Sequence, residues 1–94
     1  MMDWRREARR ALRAYPEAKK RDTPEARTLT AAVERALAMQ DIYPNAAERR
    51  RMVELVYFRR THTLQGAATA CHYTRETIQK WNIELLSAVY VGLL

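Results

Sequence analysis

The segment TLQGAATACHYTRETIQKW, running from Thr63 to Trp81, constrains the fold of this chain more than any other. Thr63 is a good N-cap for a short helix from about Leu64 to Cys71, because its hydroxyl can accept from a backbone N–H that the first helical turn leaves unpaired. Thr74 repeats the device for a second helix. Within the first helix, Leu64, Ala67, Ala68 and Cys71 fall at i, i+3, i+4 and i+7 and make one narrow apolar face. Beyond the turn, Tyr73, Ile78 and Trp81 supply the opposing surface. The alanines matter because steeply crossed helices approach closely only where side chains are small. Gly66 costs roughly 1 kcal/mol against Ala in a helix and belongs on the outer side of so short an element. The pattern is that of a helix-turn-helix.

The rest of the chain reads as helical too. Two glycines, three prolines and no run of alternating β-branched residues in 94 positions predict an all-α fold of about five helices, a single domain over residues 1–94. Residues 1–62 form a basic scaffold, and residues 63–94 carry the motif and a long last helix. The first helix is expected from Asp3 through Ala14, with Trp4, Ala8, Ala11, Leu12 and Tyr15 as its apolar stripe. Pro16 either ends it or opens a continuation through Lys20. Arg5, Arg9 and Arg13 line one face, as a solvated surface or as a second anion-contacting patch. Thr23 and Pro24 restart the chain as N-cap and first helical residue, and Leu29, Val33, Ala36 and Leu37 mark a core stripe lasting to about Gln40. Asn45 and Glu48 resemble a capping box, followed by Met52, Val53, Leu55, Val56 and Phe58 in what should be the most buried helix.

The last helix, from about Arg75 to Gly92, carries two apolar stripes. At 100° per residue, Ile78, Trp81, Leu85 and Val89 share the face beneath the motif. Ile83, Leu86, Tyr90 and Leu93 lie about 100° around, on the side where Arg75, Glu76 and Gln79 project earlier. One face thus changes from polar to apolar along its length. Its apolar end docks either on the N-terminal helices or on a second subunit of a homodimer.

The spacing of Ala68, His72, Tyr73, Ile78 and Trp81 resembles the helix-turn-helix of sigma-factor region 4 and its relatives. More narrowly, WRREARRALRAYPEAKKR, with YFRRTHTLQGAATACHYTRETIQKW much later, resembles the small phage-borne regulators of the RinA and ArpU type. Those proteins pair an N-terminal "YP-x-x-K" helix with a sigma-like C-terminal helix-turn-helix. The resemblance touches both ends of the chain and implies a role in late phage transcription. The family usually has Gly at the turn, where this chain has His72; His is among the residues enriched at positive φ, so a left-handed turn is still expected there.

These features point to a sequence-specific DNA-binding transcriptional regulator of phage or prophage origin, with double-stranded DNA as its partner. Arg75, Glu76, Gln79 and Lys80 would stand nearest the base edges in the major groove, since Arg suits guanine, Gln suits adenine and Glu can accept from cytosine N4. Thr74 and Thr77 would contact phosphate or support the cap. Arg59, Arg60 and His62 would hold backbone phosphates, although Arg59 and Arg60 also suit a helix C-terminus. The charge distribution complicates this reading. Met1 to Asp22 holds eight Lys/Arg and four Asp/Glu, Thr23 to His62 seven and five, and Thr63 to Leu94 two and two. The motif itself is neutral within a chain of net charge +6. The alternative keeps the fold and makes the motif a protein-interaction module contacting RNA polymerase, or a small-terminase-like phage packaging component.

Other chemistry is not expected. No Gly-rich phosphate loop, Cys-x-x-Cys or His-Glu-x-x-His is present, so the sequence predicts no enzyme and no cofactor. His62, Cys71 and His72 match no standard zinc spacing, and Cys71 belongs to the core. The start lacks a signal-peptide core, and no run approaches the roughly 18 apolar residues of a membrane span, so a cytoplasmic protein with no membrane partner is expected. A membrane-surface role for the Arg-rich helix is weakened by the interleaved Asp3, Glu7 and Glu17.

Overall fold

The computed structural model describes residues 3–94 as five α-helices, with no strand among them. They are α1 (Trp4–Ala18), α2 (Pro24–Gln40), α3 (Ala46–Val53), α4 (Leu64–Cys71) and α5 (Arg75–Leu93), and α3 runs on into a π-helical turn at Glu54–Phe58. No helix is long and apolar enough to cross a membrane among the described residues.

Four of the helix starts are fixed by side-chain caps. Asp3 Oδ1 accepts from the Arg5 N–H at 3.0 Å, and Thr23, Thr63 and Thr74 accept from the N–H three residues on at 3.1, 3.1 and 3.2 Å. The predicted capping box at Asn45 and Glu48 does not form. Asn45 makes no side-chain cap and its Oδ1 instead accepts from Arg49 Nε at 3.0 Å. Of the two alternatives at Pro16, the helix takes the continuation, and α1 runs through Pro16 to Ala18. Proline removes one backbone donor there. The turn beyond it holds because Tyr15, whose ring lies 5.2 Å from that of Phe58, is anchored, Ala18 is buried, and the Lys19 N–H reaches the Tyr15 carbonyl at 3.0 Å.

The third helix with its π-helical turn buries Arg49, Met52, Val53, Leu55 and Tyr57, but the core centres on α5. Ile78, Trp81, Asn82, Leu85, Leu86 and Val89 are all buried along it. It packs on α2, α1 and α4, and the core gathers Leu12, Val33, Met52 and Val53 around Ile78, Leu85 and Val89. Small residues set how closely the helices approach: a Cβ on Gly92 would stand 3.0 Å from both Cα and Cβ of Ala32 on α2. The predicted stripes of α1 and α2 face this core, with Ala8, Ala11, Leu12, Val33, Ala36 and Leu37 buried.

Polar groups complete the interior. Arg49 is 5% exposed, donating to Gln40 Oε1 at 3.0 Å and to Glu84 Oε1 at 3.2 Å, with its guanidinium carbon 3.8 Å from the Tyr43 ring centroid and 5.1 Å from that of Trp81. One cation thereby ties α2, α3 and α5 together. Tyr57, also buried, donates its hydroxyl to Asn82 Oδ1. Its inward position follows from the π-helical turn, whose extra residue per turn shifts the register by one position.

Candidate nucleic-acid interface

The motif is α4, the turn His72–Thr74, and the first turns of α5. His72 takes the left-handed conformation, φ 61° and ψ 39°, and its N–H bonds the Thr69 carbonyl at 3.3 Å, while that of Tyr73 bonds Ala68 at 3.0 Å. Ala67, Ala68 and Cys71 are buried against the neighbouring helices, and the Tyr73 ring packs 4.6 Å from that of Trp81. Burial also pushes the Cys71 thiol above its usual pKa. His62 and His72 lie beyond opposite ends of α4, and no group of three or more His, Cys, Asp or Glu side chains converges among the described residues.

Arg75, Glu76, Gln79 and Lys80 are all exposed on the first two turns of α5, and among the described residues none is in an ion pair. Farther along, the same side of the helix is covered. Leu86 is fully buried, Tyr90 packs with its ring 5.9 Å from that of Trp4 on α1, and Leu93 is half-buried against the core. Of the expected docking face, Leu86, Tyr90 and Leu93 are thus used within the chain, while Ile83 is 37% exposed. Thr74 and Thr77 form a closed unit at the start of α5: the Thr74 hydroxyl donates to Thr77 Oγ1 at 3.0 Å while accepting the Thr77 N–H. That arrangement leaves the hydroxyl proton of Thr77 for another acceptor.

The other expected phosphate contacts are parted by the end of α3. Past the π-helical turn, Arg60 is left-handed at φ 58°, and the Leu55 carbonyl accepts from the N–H groups of both Thr61 and His62, at 3.0 and 3.2 Å. The tight corner sends neighbouring arginines to different grooves. Arg59 donates to Glu54 Oε1 at 3.2 Å and lines a groove with Tyr15, Lys19, Arg50 and Phe58. Arg60 and His62 line another, of about 320 Å³, whose walls also include Arg9, Arg13, Tyr57 and the start of α4. Arg9 and Arg13 are close enough to Tyr57 for their charges to oppose the effect of burial, which raises its phenol pKa. Arg5, grouped with them by spacing, lies instead over the Trp4 ring at 5.4 Å.

The spacing rules that find the motif do not bring α1 beside it, because Arg9 and Arg60 are far apart in the chain and only packing unites them. The four-residue spacing of Arg5, Arg9 and Arg13 is the one signal of this patch in the sequence. Comparison of the chain with protein families, curated proteins and solved structures gave no match, so its functional reading rests on its own residues and geometry.

Proposed function

We propose that the protein is a sequence-specific DNA-binding regulator of transcription that inserts the start of α5 into the major groove. The observation that carries this reading is the change of character along α5. Its face is covered at Leu86, Tyr90 and Leu93, yet Arg75, Glu76, Gln79 and Lys80 stand exposed, and in no ion pair among the described residues, where a second motif helix meets base edges. Arg75 and Gln79 are the pair suited to guanine and adenine, with Glu76 suited to cytosine N4 and Lys80 to guanine. Arg60, His62 and Thr77 supply backbone contacts, and Thr74 holds the cap. Arg59 reaches a phosphate only by leaving Glu54. The resemblance to RinA- and ArpU-type regulators supports a place in late phage transcription.

The test is fluorescence anisotropy of labelled random duplex and of the duplex upstream of neighbouring genes, across a salt series. Salt-sensitive binding with preference for one duplex is expected. Arg75→Ala with Gln79→Ala should erase that preference, each bidentate pairing with a base being worth about 1–3 kcal/mol of discrimination. Absence of duplex binding even at low salt refutes the proposal and favours the protein-interaction reading. For that reading, Ile83, Val91 and Leu94 are the exposed large apolar side chains of α5 and the residue after it, available to a polymerase or a second copy.

A further inference from the structure

The motif from Thr63 to Leu94 has no net charge, and the cation excess lies mainly before Thr23. Folding brings part of that excess beside the motif. Arg9 and Arg13, about one turn apart on α1, share a groove with Arg60 and His62 from the corner before α4. No carboxylate lines this groove, and among the described residues none of the three arginines is in an ion pair. Four arginines elsewhere, Arg27, Arg49, Arg50 and Arg59, each have a carboxylate oxygen 2.7–3.2 Å away. Cations gathered without a counter-charge repel one another, and a polyanion entering the groove removes that cost. Arg6 and Arg10 continue the basic surface along α1, on the side where, among the described residues, Glu7 is the one carboxylate beside Arg9 and Arg13.

We infer that this groove holds phosphates of the duplex backbone, making α1 part of the DNA footprint. The inference rests on the DNA-binding reading above and extends it to a helix outside the motif. When the second helix of such a motif enters the major groove, the first crosses the backbone. The strand passing the start of α4 therefore meets Arg9, Arg13 and Arg60 together. The neutral motif reads sequence, while affinity comes from α1 and the corner at Arg60.

The test measures anisotropy with the full chain on random and preferred duplexes, comparing R9Q/R13Q with R21Q/R35Q. The second variant removes the same charge outside the groove: Arg21 follows α1, and Arg35 stands beside Gly92 near the far end of α5. R9Q/R13Q should weaken all duplexes alike, keep the sequence preference, and reduce the slope of log K against log salt by about 1.8, at about 0.9 for each phosphate that is no longer neutralised. R21Q/R35Q should change the slope by less than half as much. Equal changes in the two variants, or an unchanged slope in R9Q/R13Q, overturn the inference while leaving the regulator reading intact. A wild-type chain that binds no duplex overturns both. Urea unfolding accompanies the titrations, and if the R9Q/R13Q midpoint falls, the exposed R13Q alone, with a slope change of about 0.9, decides the matter.

Discussion

Replacing Arg49 by Ala should destabilise the fold by about 2–4 kcal/mol, the cost of leaving a buried acceptor without its donor together with the lost packing between two rings. Arg49 makes three side-chain hydrogen bonds, to Asn45, Gln40 and Glu84 at 3.0, 3.0 and 3.2 Å, and lies over two aromatic rings. A hydrogen bond from a charged group contributes about 1.5–3 kcal/mol and a cation–π contact about 0.5–2, while desolvating the guanidinium offsets several kcal/mol. The intact cluster therefore nets little, but its deletion leaves the buried Gln40 Oε1 without its donor. Glu84, with 30% side-chain exposure, is re-solvated and adds less. Against a total of about 5–14 kcal/mol for a domain of this length, the loss is large. Urea unfolding followed by circular dichroism measures it directly, and the melting temperature should fall by about 4–8 °C for each kcal/mol. Arg49→Met retains an apolar stem between Tyr43 and Trp81 and should lose about 2–3 kcal/mol. Adding Gln40→Leu to Arg49→Met should recover at least half of that, because both polar partners are then gone. A loss below about 1 kcal/mol for Arg49→Ala, or a double variant no better than Arg49→Met, would show that the cluster does not hold the three helices together.

The two glycines should respond oppositely to alanine. A Cβ on Gly66 meets only His62 and Thr63 side-chain atoms at 3.5 Å or more, so Gly66→Ala should add up to about 1 kcal/mol of helix propensity, whereas Gly92→Ala presses on the Ala32 backbone at 3.0 Å and should lower the urea midpoint. Burial raises the Tyr57 phenol pKa above 10.0, so the unfolded chain loses its proton first. The associated stability is complete below the unfolded pKa and is lost as the pH rises through the folded one. The alkaline fall in urea midpoint should be shallower in Tyr57→Phe; an unchanged slope refutes the assignment. Cys71, buried and with its thiol pKa raised by burial, should label with a thiol reagent more slowly than a free cysteine peptide at neutral pH, and equal rates would contradict its place in the core.

Features governed by neighbouring residues were legible in the sequence. Thr23, Thr63 and Thr74 cap their helices from three residues away, His72 sets its own left-handed turn, and the apolar spacing of α1, α2 and α5 selects their buried faces. What escaped depends on residues brought together by packing. Asn45 and Glu84 look like a cap and a solvent-facing carboxylate until Arg49 folds between them, 4 positions from one and 35 from the other. The turn at Glu54–Phe58 departs from the 100° step, so periodicity placed Phe58 rather than Tyr57 in the core and kept Arg59 and Arg60 together. In the candidate interface, the exposed start of α5 was legible from its change of polarity. The meeting of Arg9 and Arg13 with Arg60 was not, because no local rule relates α1 to the corner after α3.

Among the described residues, the two left-handed ones outside glycine, Arg60 and His72, stand close to the ends of α4. A helix of eight residues is too short to persist alone in water, where about 12–15 are needed even for favourable sequences. It exists because Ala67, Ala68 and Cys71 are held by the core while its flanking corners stay folded. Its interior amides should therefore exchange with solvent through global unfolding rather than local fraying. The motif is consequently an all-or-none property of the domain: a partly unfolded chain keeps its cations and loses the exposed face at the start of α5 to which the proposed function assigns the base contacts.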